Sequence, residues 1–425
     1  MLYKLVDQRL RYLDRFRRNK LVLESVGRLT GVPWTKQGPA FLVGLGHGTT
    51  HWIAAFFYLL LPFIAKDIGL SYTDAGLLVS IFHLSSLVAN FGSGLMVDIT
   101  GRRIVFQVVS LILGGVALLA FGLVREFLVL TVLVILLGAS NNLWHPPAIA
   151  FLSDHYPDNR GYALSVHALC ANLGDTLAPL AAGVLLLVLT WQGTAVIGAA
   201  PVFLITLVFA LCLFKTDKSG RTTQHDRAGL RHYLTQIGGI ARDRTVLGLC
   251  LMSGMRNIAQ NGLYVFLPLY LVNELGSGPL WMGITMSALQ LGGLVAAPVA
   301  GTWSDRIGRR PVVLAGLTTT TVVIAGITLA QNEIVLVVAV SLLGFALFAV
   351  RPVIHSWMMD LVPREIAGSA TSILFGTQAL LTMIMMPVGG LIADHYGLHM
   401  VFYCLAGTIL LANLIVYWLP SNQRR

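Results

Sequence analysis

The ten residues GLMVDITGRR (94–103) return as GTWSDRIGRR (301–310), and both spell G-x-x-x-D-x-x-G-R-R, 207 residues apart. Other landmarks recur at nearly the same offset. Asp154, Pro157, Arg160 and Gly161 are answered by Asp360, Pro363, Arg364 and Gly368, and His145-Pro146 by Arg351-Pro352. The chain therefore uses one structural unit twice, and transport across a membrane supplies a rationale, since two similar bundles can rock against each other about a site near the midplane.

The residues around the two loops say what the unit is made of. Of 425 residues 56% are hydrophobic and 11% charged, with a mean hydropathy of +0.76, too little polar surface for a soluble globule of this length. A helix needs about 20 apolar residues to cross hydrocarbon. Twelve stretches qualify: 39–65, 73–96, 104–123, 127–152, 163–189, 192–214, 245–272, 280–303, 311–331, 334–357, 366–391 and 398–419. The expected fold is an all-α membrane protein with twelve transmembrane helices in two pseudo-symmetric six-helix bundles. Its expected parts are a basic amphipathic arm (1–37), the first bundle (38–214), a linker (215–244), the second bundle (245–419) and a short tail (420–425).

The net charge of +10 invites a nucleic-acid reading, which its distribution excludes. Nine Lys or Arg lie in the N-terminal arm and seven between spans 6 and 7, whereas loops on the other side carry only Lys66 and Arg125. This bias places both termini in the cytoplasm. In the arm, Leu2, Leu5, Val6, Leu10, Leu13 and Phe16 recur at helical spacing among arginines, a helix suited to anionic lipid. No cleavable leader is expected, since residues 1–37 are charged and lack a continuous apolar core. The four cysteines fall in separate spans and suggest neither a disulfide framework nor a metal knuckle. No cofactor or resident metal is expected, and H-E-x-x-H, G-x-S-x-G and phosphate-loop motifs are absent.

The doubled loop resembles the signature of the major facilitator superfamily, and the likeness runs from residue 39 onward. More narrowly, NNLWHPPAIAFLSDHYPDNRGYALSVHALCANLGDTLAPLAAG (141–183) and FALFAVRPVIHSWMMDLVPREIAGSATS (345–372) resemble the fosmidomycin-resistance branch of drug exporters. Chemistry alone gives the loop a role. Asp98 and Asp305 end a helix where a carboxylate can pair with Arg102 or Arg309 and approach the positive N-terminus of a helix in the other half. The resemblance implies that Asp98, Gly101, Arg102, Asp305, Gly308 and Arg309 form a conformational gate favouring the outward-open state. It also implies that spans 1, 4, 7 and 10 surround the substrate cavity, that 2, 5, 8 and 11 form the moving interface, and that 3, 6, 9 and 12 face lipid.

Polar residues were not used to make that assignment, and they follow it. A charged group in hydrocarbon costs at least about 2.5–3.5 kcal/mol, so each is expected to face a cavity or a partner. Span 1 holds His47 and His51, span 4 Asn141, Asn142 and His145, span 7 Arg256, Asn257, Gln260 and Asn261, and span 10 Arg351 and His355. These eleven are the expected substrate-binding residues. His47 and His51 share a helix face. The GLGHG stretch around them (44–48) resembles a dinucleotide loop only superficially, because inside a span Gly44 and Gly48 make a close-packing face.

Coupling to protons needs a titratable group, and Asp175 in span 5 and His51 are the candidates. In the fosmidomycin-resistance pattern span 1 reads His-x-x-x-Asp, and His51 stands here at the aspartate position. Arg256, Arg351 and Asp175 leave the membrane interior at +1, which favours an anionic substrate clamped by arginine. The plainer alternative for Arg351 is an ion pair with Asp360. The leading expectation is proton-coupled export of a small anionic or amphiphilic compound. Two alternatives stand beside it: a transition-metal transporter using the six intramembrane histidines with methionines such as Met252, Met255, Met282 and Met286, and a transporter-like receptor without flux.

Overall fold

The computed structural model describes residues 30–216, 243–330, 332–362 and 367–419, except for the side chains of Leu95, Asp98 and residues 367–369. Most of the basic arm, the linker and the tail lie outside the described residues, as do Pro363, Arg364 and the Asp98 carboxylate.

The helices are α1 (Gly38–Ile68), α2 (Tyr72–Thr100), α3 (Arg103–Ala120), α4a (Phe127–Leu143) and α4b (His145–His155), α5 (Arg160–Leu185), α6 (Trp191–Leu213), α7 (Arg244–Asn273), α8 (Pro279–Ile307), α9 (Arg309–Gly326), α10 (Glu333–Leu361), α11 (Ala367–Tyr396) and α12 (Leu398–Trp418). Among the described residues, eleven spans are long and apolar enough to cross a membrane, with α4a and α4b counted as one. The twelfth helix, α7, has the length, but its run from Arg256 to Asn261 lowers its hydropathy.

Packing repeats with the sequence. Within the first six helices α1 lies on α5 and α6, α2 on α4a, and α3 on α4a and α6; within the last six, α7 lies on α11 and α12, α8 on α10, and α9 on α10 and α12. Between the halves the main contacts are α2 on α11 and α5 on α8, with a smaller one of α1 on α7.

The repeat is broken at its prolines. Trp144 interrupts the fourth span, because Pro146 and Pro147 open α4b with two missing N–H donors, whereas α10 runs through its single Pro352 unbroken. Two consecutive prolines remove twice as many ladder bonds as one.

The halves touch at one face and separate at the other. At the face carrying the α1–α2, α5–α6, α7–α8 and α11–α12 loops, backbones meet closely. A Cβ on Gly183 would lie 2.7 Å from the Pro279 carbonyl, and one on Gly283 would lie 2.5 Å from that of Pro179. One on Gly390 would strike Tyr72, and one on Gly76 would strike Met386. At the opposite face, Gly92, Gly94, Gly301 and Gly376 have nothing near where a Cβ would stand, and Val88 and Phe91 are about two-thirds exposed.

Candidate functional site

Between the separated halves lies a cavity of about 740 Å³. Its first wall comes from α1, α4 and α5: His47, His51, Asn141, His145, His167 and Asp175. Its second wall comes from α7, α8 and α10: Gln260, Asn261, Tyr264, Gln290, Arg351 and His355.

Local packing explains how the first wall is held. A Cβ on Gly46 would overlap the Trp144 ring, which is fully buried and fills the break in the fourth span. Gly44 and Gly48 sit against Cys170, and Gly174 against the Gly48 carbonyl, so α1 and α5 lie nearly backbone to backbone. That approach brings His47 Nδ1–H within 2.8 Å of the His167 carbonyl, to which it donates. The His47 and His167 rings stack at 3.7 Å, and Trp144 Nε1–H donates to His167 Nε2 at 3.3 Å. His145 Nδ1–H donates to the Asn141 carbonyl one turn back at 3.0 Å, and its Nε2 lies 3.2 Å from His47 Nε2. His51 pairs through Nδ1 with Asp175 Oδ2 at 2.9 Å.

The second wall is arranged differently. Arg351 lines the cavity and has no ion pair among the described residues; Asp360 is engaged instead by Arg309 Nε at 3.0 Å. Arg256 does not reach the cavity. It is 2% exposed, its Nε and NH2 groups donate to the Leu347 carbonyl at 3.1 and 2.9 Å, and its guanidinium lies over the Phe348 ring. Asn257 is also held away, donating to Thr382 Oγ1 at 2.9 Å, and Asn142 is not part of the lining. Toward the closed face Tyr58 and Tyr264 roof the cavity with ring centroids 5.8 Å apart, and Tyr264 OH donates to Gln290 Oε1.

The loop residues divide in the same way. Gly101 and Gly308 take positive φ of 68° and 96°, conformations that favour glycine and let the chain turn between helices. Asp305 and Arg309 pair with one another, and Arg309 also holds Asp360, all within the second half. In the first half Arg103 makes the corresponding bridge, 2.5 Å to Asp154, while only the Arg102 backbone N–H has a partner described, Thr100 Oγ1.

One residue at the closed face was missed from the sequence. Asp394 of α11 accepts from Tyr72 N–H at 2.8 Å, Thr73 N–H at 2.9 Å and Thr73 Oγ1–H at 2.6 Å, all on the first turn of α2 in the other half. A carboxylate meeting a helix N-terminus across the halves is the contact expected of the doubled loop, found here at the opposite face. The signal was legible: Gly390-x-x-x-Asp394-x-x-Gly397 is a third copy of the frame without its arginines, and Gly397 again takes positive φ.

A family model described as Major Facilitator Superfamily matches residues 40–291 and 249–425. The chain belongs to the major facilitator superfamily. It is a multi-pass membrane transporter of small molecules. Its similar relatives include Multidrug resistance protein MdtG of Citrobacter koseri, 26% identical over 402 residues covering 89% of this chain and 95% of the relative. The protein of that name from Escherichia coli is 25% identical, covering 88% and 94%. Among solved structures, an inward-facing, occupied bacterial homolog of the human lysosomal transporter Spinster superposes with TM-score 0.76 at 15% identity, covering 89% of this chain and 95% of that one. The nucleoside transporter NupG gives 0.75 at 12% identity, covering 89% and 98%. The two structures share the fold.

Proposed function

We propose that this transporter exports a small anionic or amphiphilic compound from the cytoplasm by alternating access, coupled to protons. The observation that carries the reading is the composition of the cavity walls: a carboxylate–histidine pair, Asp175–His51, on the first half, and on the second Arg351, which has no acidic partner among the described residues. A fixed cation in a low-dielectric chamber attracts anions and can grip a carboxylate or phosphonate through two donors. Asp175 would take and release the coupling proton, with His51 as its partner.

The basic α2–α3 and α8–α9 loops lie at the open face, and under the positive-inside bias this face is read as cytoplasmic and the state as inward-open, with both termini in the cytoplasm of a bacterial inner membrane. The names of the relatives support export. The Asp98 and Asp305 loops lie at the open face, and in this reading they latch the halves when that face closes.

The test is flux in proteoliposomes. An organic acid and a phosphonate are offered in parallel with a neutral analogue, with and without a pH gradient. The reading expects anion flux that the gradient accelerates and that Asp175→Asn makes indifferent to the gradient. Flux that ignores both charge and gradient would refute it.

A further inference from the structure

The three imidazoles of the first wall share one feature that a substrate-lining role does not require. Each Nδ1 faces an acceptor: the His167 carbonyl for His47, the Asn141 carbonyl for His145 and, when ionised, the Asp175 carboxylate for His51. Each Nδ1 therefore carries the proton, and in a neutral ring Nε2 is left as a bare lone pair. The lone pairs of His47 and His145 face each other across 3.2 Å. Two lone pairs so placed repel until something electrophilic sits between them.

The spacing suits a metal. Four nitrogens at about 2.0–2.1 Å around a tetrahedral ion stand about 3.3 Å apart. One ring nitrogen from each of His47, His51 and His145 lies within 4.8 Å of the others, so a small side-chain adjustment brings the three to the spacing of one ion. A ligating histidine that gives its other N–H to a backbone carbonyl or a carboxylate is the outer-shell arrangement that fixes the tautomer and makes the ring a better ligand. All three rings have it. Three imidazole nitrogens select zinc, nickel, copper or cobalt over magnesium or calcium, whose ligands are oxygens. All three residues line the cavity, so the fourth position opens onto it. A site with an open position can take a further donor atom, unlike a closed structural one.

We propose that His47, His51 and His145 form a binding site for a divalent transition metal in the wall of the transport cavity, with the fourth position free for a donor atom of the substrate. That the ion travels with cargo rests on the transport reading above; the site itself rests on the ring geometry.

The test uses the full chain in lipid nanodiscs, freed of any polyhistidine tag and titrated at fixed pH with Co²⁺ and then Zn²⁺. One Co²⁺ per chain, with the intense visible absorption of a tetrahedral ion that Zn²⁺ displaces, is expected. His47→Gln and His145→Gln put amides of similar reach in place of the imidazoles. Each is expected to weaken binding by more than the roughly 10–100-fold typical of an outer-shell loss. His395→Ala, an exposed histidine at the closed face, leaves it unchanged. The thermal melting of each variant establishes that it is folded. The proposal is overturned if the wild-type chain shows no saturable binding, if the bound cobalt has no tetrahedral spectrum, or if folded Gln variants bind as well as wild type. Because the titration measures no flux, its failure would remove the metal site and leave the transport reading to its own proteoliposome assay.

Discussion

Replacing Asp394 by Asn tests what holds the closed face together. The carboxylate accepts three hydrogen bonds from the first turn of α2 and lies at that helix's positive end. A net hydrogen bond to a charged group contributes about 1.5–3 kcal/mol when shielded, and a charge at an exposed helix terminus about 0.3–1 kcal/mol. Asp394 is exposed, so the lower end of each range applies, and Asn keeps one acceptor oxygen. The loss is then about 1–3 kcal/mol, equivalent to a 5- to 150-fold shift in the ratio of the two conformations. Spin labels on the α1–α2 and α11–α12 loops should report it as a new population of longer distances in Asp394→Asn, with the opposite change at the α2–α3 and α8–α9 loops. High salt should shift the wild type the same way, since an exposed charge contact is screened. An unchanged distance distribution would mean that closure rests on the glycine seams alone and that Asp394 merely caps a helix.

Other outcomes follow from the same geometry. Gly183→Ala and Gly283→Ala put a Cβ 2.7 and 2.5 Å from backbone carbonyls of the opposite half, so transport should fall sharply while each variant still folds, as gel filtration and melting would show. Gly46→Ala overlaps the Trp144 ring within the first half, so it should instead lower thermal stability, at a cost of about 1–3 kcal/mol typical of overpacking. Arg309→Ala removes the partner of Asp305 and Asp360, both exposed, so melting should change little while the spin-label populations at the α8–α9 loop move. His51→Ala leaves Asp175 without its partner and should abolish the response of flux to a pH gradient; a retained response would move coupling to another group.

Much of the molecule was legible because hydrocarbon makes polar groups costly. That cost, read span by span, located eight of the eleven expected binding residues on the cavity: His47, His51, Asn141, His145, Gln260, Asn261, Arg351 and His355. Asp175 joined them from α5 and meets His51 there. The same rule allows a partner in place of the cavity, and span composition does not say which of the two a side chain takes. Arg256 is satisfied by the Leu347 carbonyl on another helix and Asn257 by Thr382, contacts that depend on tertiary packing and leave no trace in span composition. The convergence of three histidines was equally hidden, since His47 and His145 are 98 residues apart and meet only because Gly46 admits Trp144 beside them. Asp394 lies in a third copy of the same frame, less conspicuous because it lacks the two arginines of the others.

The most direct test of the cavity as an anion-transport site compares its two arginines. Uptake of a small organic anion into proteoliposomes is measured for Arg351→Ala and Arg256→Ala, each checked for folding. Arg351 lines the cavity, and losing a charge-assisted contact of about 1.5–3 kcal/mol should lower transport efficiency by about 10- to 150-fold. Arg256 is sealed behind Phe348, so its replacement should lower stability while the folded fraction keeps its affinity for the anion. Full anion transport by Arg351→Ala, with transport abolished in well-folded Arg256→Ala, would contradict the account.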